Sequence, residues 1–518
     1  MRRIGKRPEL WGSVLVLLLA FGLRMMHSAG RALWYDEAFA ILYASLDHEG
    51  MIYGTVTPVE GAGAADVHPL LYYFSLHAWM GVAGRSPFAA RFFSVVLGMI
   101  TVALLWRLAA WCFDRWVGLM VGLLAAANPF HVAYSQEARM YALLGLAGVV
   151  ATWGLLRALG AEEQRDKGTR ERRDLRSAIC DLRWWALYAA GAALTLYAHN
   201  LGAFVVLALN LLILVRRGWW RRVLILILAD GVALVLFAPW LIGVLPGQLG
   251  FIERAYWLEP PGVSEAVRAL MLPVFTFYEV PVSWLLWVGL FVSLVLLDLL
   301  ILQVWRLRSR AGWFLLLCWV PIVTLFAVAQ WRPVYLERAL LPSALFYLVA
   351  VGWLLARGRL PRLLNAGLVV LLVVAVAGSL GGHYTYARFP RPPFQEAVAY
   401  LRERVEPADA IVHTNKLTFF PMHIYAPDLV GAFLADRPGS PEDTLALPTQ
   451  EALGIFATPT MAEAVGSAER AWLVYFTEEI EQIEGEHPAL AWLEGRFTEV
   501  ERERFNDLVV ALYRQEGP

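Results

Sequence analysis

The stretch LWYDEAFAI, Leu33–Ile41, sets two adjacent carboxylates, Asp36 and Glu37, directly behind the first long apolar segment of the chain. That segment, from about Leu10 to Met26, is close to the roughly 20 apolar residues that a helix needs to cross a bilayer. Arg2, Arg3, Lys6 and Arg7 precede it and place the N-terminus on the cytoplasmic side. The acidic pair then stands at the outer mouth of a membrane helix. A carboxylate at that level can accept a proton from a hydroxyl. Asp36 can equally cap the helix that follows, because Asp accepts bonds from free backbone N–H groups. The rest of the chain bears on that choice.

The 518 residues are 59% hydrophobic and 17% charged, against about 25% charged in soluble proteins. Long apolar runs recur, which indicates a polytopic helical membrane protein. The net charge is zero, so nothing points to a nucleic-acid partner. Cys112, Cys180 and Cys318 lack metal-ligand spacing, and none maps outside the membrane, so no disulfide framework is expected. The basic N-terminus and its apolar run imitate a signal peptide. No clear small-residue cleavage site follows, so the run reads as an uncleaved first helix.

Basic residues between the apolar runs set the topology. Ser28 to Ser86 is extracytoplasmic and includes HPLLYYFSLHAWMGVAG (His68–Gly84), read as a helix lying at the interface. Helix two runs from about Ala89 to Phe113, and helix three goes out to about Pro129. NPFHVAYSQEARMYALLGL (Asn128–Leu146) is a second outer turn, and helix four returns to about Leu159. The charged loop Gly160–Arg183 is cytoplasmic. Two crossings with a turn at Ala198–Gly202 fit the basic flanks of Trp184–Val215, which puts His199 outside. Helix seven ends near Pro246, and a large outer loop follows from Gly247 to about Ser283. RPVYLERALLP (Arg332–Pro342) is outside, and the last crossing covers about Leu364 to Gly381. The count is about eleven crossings, N-terminus in and C-terminus out.

Charged residues become frequent from His383 on. The segment Pro393–Val405 has helical periodicity. Short apolar strands follow at Ala410–Thr414, Leu429–Phe433, Ala471–Phe476 and Leu508–Arg514. The expected architecture is therefore an all-α membrane domain over residues 1–382, then a small extracytoplasmic α/β domain over 383–518. That domain has no phosphate fingerprint or evident catalytic set, and an accessory role is expected.

Asp36, Glu37, Asp66, His68, Glu137, Arg139, His199, Arg332 and Arg338 all map to the outer face, from five loops or helix ends. Ionisable groups near membrane level are costly and usually functional. A convergent outer cavity would offer carboxylates for proton transfer and guanidinium groups for phosphate, which Arg holds through bidentate bonds. Each residue also has a plainer reading. Arg139 can be an interface anchor, and Arg332 and Arg338 can snorkel at helix ends. His68 can be a turn residue, Asp66 a solvated loop acid, and His199 the closure of a hairpin. Glu137 and His199 are ligand types for a divalent metal, but two scattered ligands do not indicate one. The sequence points to no certain cofactor.

LWYDEAF, HPLLYYFSLHAW with GRSPFAARFFSVVLG (Gly84–Gly98), AYSQEARMYAL (Ala133–Leu143) and YLERALLPSALFYLVAVG (Tyr335–Gly352) resemble the GT-C superfamily of integral-membrane glycosyltransferases. The resemblance is to the branch that includes protein O-mannosyltransferases, the aminoarabinose transferase of lipid A, and bacterial relatives acting on lipopolysaccharide. It covers about Leu10 to Gly382 and is weaker beyond. It implies an inverting hexosyl- or pentosyltransferase. A polyprenyl-phosphate-linked sugar is the donor, and the acceptor is a hydroxyl on a lipid, glycan or protein. Membrane lipids are partners. The resemblance makes Asp36 the base and Glu37 the acid that orients the site. It places His68, Arg139, Tyr335, Arg332 and Arg338 towards the lipid phosphate. Asp66, Arg91, Gln136, Glu137, Tyr141 and His199 form an additional set. The implied location is a bacterial plasma membrane. Inversion puts acceptor and leaving phosphate on opposite faces of the sugar carbon, so Asp36 and the arginines are expected on opposite walls. A lipid-linked-sugar flippase, a glycan ligase or polymerase, and a silent scaffold are the competing classes. A flippase predicts inverted repeats and midplane polar groups, and no convincing repeat is seen.

Overall fold

Helix α1, Pro8–Met25, leads into an extended stretch and then α2, Tyr35–Tyr43. Our computed structural model of the protein describes residues 8–59, 68–161, 175–215, 219–249, 258–273, 283–385, 393–436, 445–481 and 486–515. The N-cap of α2 is Trp34, without a side-chain cap bond. Asp36 therefore lies inside the first turn, where a negative charge suits the helix dipole, and the capping role does not apply. Asp47 does cap its helix, accepting from Gly50 N–H at 2.8 Å to start α3, His48–Val56. The helix expected at His68–Gly84 is α4, Leu71–Ala83, with Tyr72, Tyr73, Leu76 and Met80 buried. Ser86 caps the long α5, Pro87–Cys112, with Pro87 at its first turn.

Helices α6, Arg115–Ala127, and α7, Pro129–Ser135, meet at 57°. Pro129 is the cause. It has no N–H for the carbonyl of Ala125, and its ring cannot continue the helix above it. Arg24, at the end of α1, fills the gap. It donates to the carbonyls of Ala125 (3.2 Å), Ala126 (3.0 Å) and Ala20 (3.0 Å), to Ser135 Oγ (3.2 Å) and to His131 Nδ1 (2.9 Å). Every N–H of this fully buried guanidinium is bonded. The kink turns the segment after Ser135 back towards α2.

Helix α8, Tyr141–Ala161, crosses the helix Leu175–Ala198 with backbones in contact. A Cβ on Gly154 would stand 2.5 Å from Tyr188 N, and one on Gly191 would stand 2.6 Å from Ala151 N. Small residues permit such approaches where no water drives the helices together. The helix Leu341–Arg357 is buried from Leu341 through Leu355 and packs on α6, α8 and the helix Ala311–Val328. It is the axis of the bundle. The helix Val223–Gly243 leaves Leu224, Leu228, Val235 and Ile242 exposed, a face suited to lipid tails.

Among the described residues, seven helices are long and apolar enough to cross a membrane, or eight if the bent pair α6–α7 is one span. Helix segments occupy all the places where crossings were expected. Two of them, Trp11–Met25 and Gly202–Val215, are short, and Leu175–Ala198 opens with charged residues. Most of the loop Gly160–Arg183 and much of Gly247–Ser283 lie outside the described residues.

The last part of the chain holds a five-stranded sheet in the order β2-β1-β3-β5-β4. Its strands are β1 (Ala410–His413), β2 (Ala432–Phe433), β3 (Arg470–Phe476), β4 (Phe497–Phe505) and β5 (Leu508–Gln515). β1 runs parallel to β2 and β3, and β3, β5 and β4 are antiparallel. β4, FTEVERERF, is absent from the sequence reading. It is an exposed edge strand, and edge strands carry charge that blunts further pairing.

The part of the chain expected to be accessory touches the acidic motif. Phe420, in the helix Lys416–Tyr425, stacks on Tyr35 at 5.7 Å and meets Phe39 at 6.4 Å. Tyr425 Oη accepts the N–H of Leu33 at 2.9 Å. Thr449 Oγ1 donates to the Gly54 carbonyl at 2.8 Å. The aromatic cluster behind α2 is thus shared between the bundle and the sheet region.

Candidate active site

Consecutive residues of a helix point about 100° apart, so Asp36 and Glu37 face different surroundings. Glu37 turns into the protein and is fully buried. Arg91, one turn into α5, meets it with both prongs: Nε to Oε1 at 2.8 Å and Nη2 to Oε2 at 2.7 Å. The N–H of Ala138 adds a third bond to Oε1 at 3.0 Å. Arg91 spends its other N–H groups on the carbonyls of Ser28 (2.9 Å), Arg31 (2.6 Å) and Ala32 (3.1 Å). This pair fastens α2, α5, the strand-like entry to α2 and the SQEARMY turn together.

Asp36 stays half-open, its side chain 19% exposed. Its Oδ2 is 3.3 Å from Arg338 Nη1 and 3.5 Å from Arg139 Nη2. Arg139 also donates to the backbone carbonyl of Asp36 at 3.5 Å. The guanidinium of Arg338 lies over Trp34 at 5.3 Å and over Tyr141 at 5.5 Å, and aromatic faces attract such a cation. Arg338 sits in a short turn, Glu337–Leu340, that opens the central helix. Its neighbour Glu337 pairs with Arg268 Nε at 2.8 Å, from the helix Val263–Met271. The arginine is therefore presented from a rigid support.

The expectation of opposite walls is not met: Asp36 and both arginines are in contact. The reason is electrostatic. Largely buried guanidinium groups need a counter-charge, and Asp36 is the carboxylate that reaches them.

His199 sits at the turn between Leu175–Ala198 and Gly202–Val215, 6% exposed. Its ring is edge-on to His68 at 5.2 Å and lies 6.0 Å from Tyr141. Burial, reinforced by His68, Arg139 and Arg338, holds its pKa well below the usual histidine value. Glu137 is buried close enough to act electrostatically on Arg91, Tyr72 and Tyr141.

The structure thus brings together Asp36, Arg139, Arg338, Tyr141, His199 and His68, with Glu37, Arg91 and Glu137 behind them. Gln136 is a correction. Its amide caps α1, donating to Arg24 O (2.9 Å) and Met26 O (2.8 Å), while its Oε1 is 2.7 Å from His383 Nε2. Tyr335 is buried edge-on to Phe326 at 5.8 Å, and Arg332 is half-buried nearby in sequence. Asp66 lies outside the described residues. Among the described residues, no group of three or more His, Cys, Asp or Glu is arranged to hold a metal ion. The sequence reading missed Trp34 and the Arg268–Glu337 pair. Trp34 adjoins the acidic motif, but only folding shows that it carries an arginine from 304 residues further along the chain.

Residues 67–167 match the sequence model of the dolichyl-phosphate-mannose-protein mannosyltransferase family. The structure of ArnT from Cupriavidus metallidurans in the apo state superposes with a TM-score of 0.64 at 13% identity, over 97% of each chain. The chain has the fold of ArnT. The same ArnT bound to undecaprenyl phosphate gives 0.61, again at 13% identity over 97% of each chain. The archaeal oligosaccharyltransferase AglB from Archaeoglobus fulgidus gives 0.51 at 12% identity, over 92% of this chain and 70% of that one. A search of curated proteins gave no match. The GT-C likeness to ArnT runs past Gly382 into the sheet region, further than the sequence motifs reach.

Proposed function

We propose that the protein is an inverting glycosyltransferase that moves a sugar from a polyprenyl-phosphate donor to an acceptor hydroxyl at the outer face of a bacterial plasma membrane. The match of residues 67–167 to the dolichyl-phosphate-mannose-protein mannosyltransferase family model carries this reading. The contact of Asp36 with Arg139 and Arg338 runs against the opposite walls that inversion calls for, so the reading requires the donor phosphate to draw both arginines away from Asp36. The ArnT structure with undecaprenyl phosphate supports a lipid phosphate as the group to be bound. The chain would cross the membrane about eleven times, with residues 1–382 as the transferase domain and 383–518 outside, resting on α2.

In the reaction, the acceptor oxygen attacks the anomeric carbon as the bond from that carbon to the phosphate oxygen breaks. The electron pair leaves with the polyprenyl phosphate, and the acceptor proton passes to Asp36. Arg139 and Arg338 stabilise the charge that develops on the leaving phosphate. Both guanidinium groups now hold Asp36. A phosphate that bonds to them competes for the same donors and leaves Asp36 free to take the proton. Donor binding therefore prepares the base. Glu37 and Arg91 keep α2 in place and take no proton.

The test is sugar transfer from radiolabelled polyprenyl-phosphate sugars in membranes, wild type against Asp36→Asn at matched folded amount. Loss of turnover with donor binding kept supports the reading. Unchanged turnover in Asp36→Asn removes Asp36 as the base.

A further inference from the structure

His199 Nδ1 accepts the backbone N–H of Leu201 at 3.1 Å. An imidazole nitrogen that accepts carries no proton, so the neutral ring has its proton on Nε2. Burial and the surrounding positive charge keep the ring neutral. Nε2–H is therefore a fixed, uncharged donor. It makes no hydrogen bond among the described residues, and a buried donor without an acceptor is costly. Closing the turn accounts for Nδ1 and leaves Nε2 unexplained. The His199 ring lies 5.2 Å, centroid to centroid, from that of His68 and 6.0 Å from that of Tyr141, which carries the Arg338 guanidinium. Arg139 and Arg338 also offer only donors, and the carboxylate they meet is the half-open Asp36. An oxyanion with several lone pairs can take the place of that carboxylate and engage the imidazole N–H as well, whereas a sugar hydroxyl accepts fewer bonds and brings a donor of its own.

We propose that His199 Nε2–H is a phosphate-binding donor that joins Arg139 and Arg338 on the lipid phosphate of the sugar donor. This rests on the transferase reading above. Unlike the arginines, His199 adds a directed bond without adding charge, and the Leu201 N–H fixes its direction.

The experiment measures binding of undecaprenyl phosphate and of undecaprenol, the same chain without the phosphate, to the full-length purified protein. Wild type, His199→Phe, His199→Gln and Arg338→Gln are compared. His199→Phe should weaken the phosphate lipid about tenfold or more and leave undecaprenol unchanged. His199→Gln, which keeps an N–H near the same place, should recover part of the loss. Wild-type binding of the phosphate lipid by His199→Phe overturns the assignment, as does an equal loss for both lipids, the mark of a purely structural role. Should Arg338→Gln weaken phosphate binding while the His199 variants do not, the transferase reading stands and His199 is excluded. Should wild type show no preference for the phosphate lipid, both readings fall.

Discussion

Glu37 and Asp36 are neighbours with the same charge, and both meet arginines, yet one is closed and the other open. Glu37 has no exposed surface and is held by a two-pronged guanidinium and a backbone N–H at 2.7–3.0 Å. Asp36 keeps 19% of its side chain accessible and makes single contacts at 3.3 and 3.5 Å. The first arrangement is buried from solvent and fixes four segments. The second is loose enough to be exchanged for a phosphate. A buried, fully bonded ion pair serves structure, whereas a half-open pair with long contacts can be opened by a ligand.

The largest expected effect separates the two acids by chemistry. Asp36→Asn should lower transfer by at least about a hundredfold while the thermal unfolding midpoint in detergent stays near wild type. Glu37→Gln should do the reverse, losing about 3–5 kcal/mol of stability as Arg91 is left buried without its partner, with any activity loss following the folded fraction. If Glu37→Gln folds normally and is inactive, the division between the acids is wrong.

Arg24→Met probes a third charge, one with no acid beside it. It removes the donors that serve the broken α6–α7 junction. The carbonyl of Ala126 would be left buried and unbonded, at about 1–3 kcal/mol, while that of Ala125 keeps His131 Nδ1 at 3.4 Å. Thermal unfolding reads the loss, and a wild-type midpoint would show that the junction needs no external donors.

Tyr425→Phe is milder. It removes the acceptor for Leu33 N–H and should cost about 1 kcal/mol. If the sheet region only rests on α2, transfer is unaffected. A fall in kcat at unchanged donor binding would show that the contact helps to aim Asp36.

A comparable effect is a pH dependence in the sheet region. His413, in β1, is buried, and burial with the charge of His423 holds its pKa down at about 3. The unfolded chain takes up a proton near pH 6.5, which the folded chain refuses. Its stability contribution is intact above that pH and falls as pH drops towards 3, by about 1.4 kcal/mol per unit. Unfolding midpoints at pH 7.5 and 5.5 should differ more in wild type than in His413→Phe.

The apolar runs were enough to read a helical membrane bundle, because hydrocarbon thickness and backbone bonding dictate span length. Four of the five strands were readable for the same local reason, as short apolar runs between turns. The charged β4 was not, since an edge strand lacks the apolar signal. Gln136 shows the limit of motif reading. It stands in SQEARMY beside Glu137 and Arg139, but the bend at Pro129 turns it to α1. By itself the sequence singled out the acidic pair and the arginines as candidates. Only the tertiary structure decided that Arg91 closes on Glu37 and that Arg338, some three hundred residues away, reaches Asp36 between Trp34 and Tyr141. The spacing of residues along one helix is a local property, but the pairing of charges across a bundle depends on where several helices end in space.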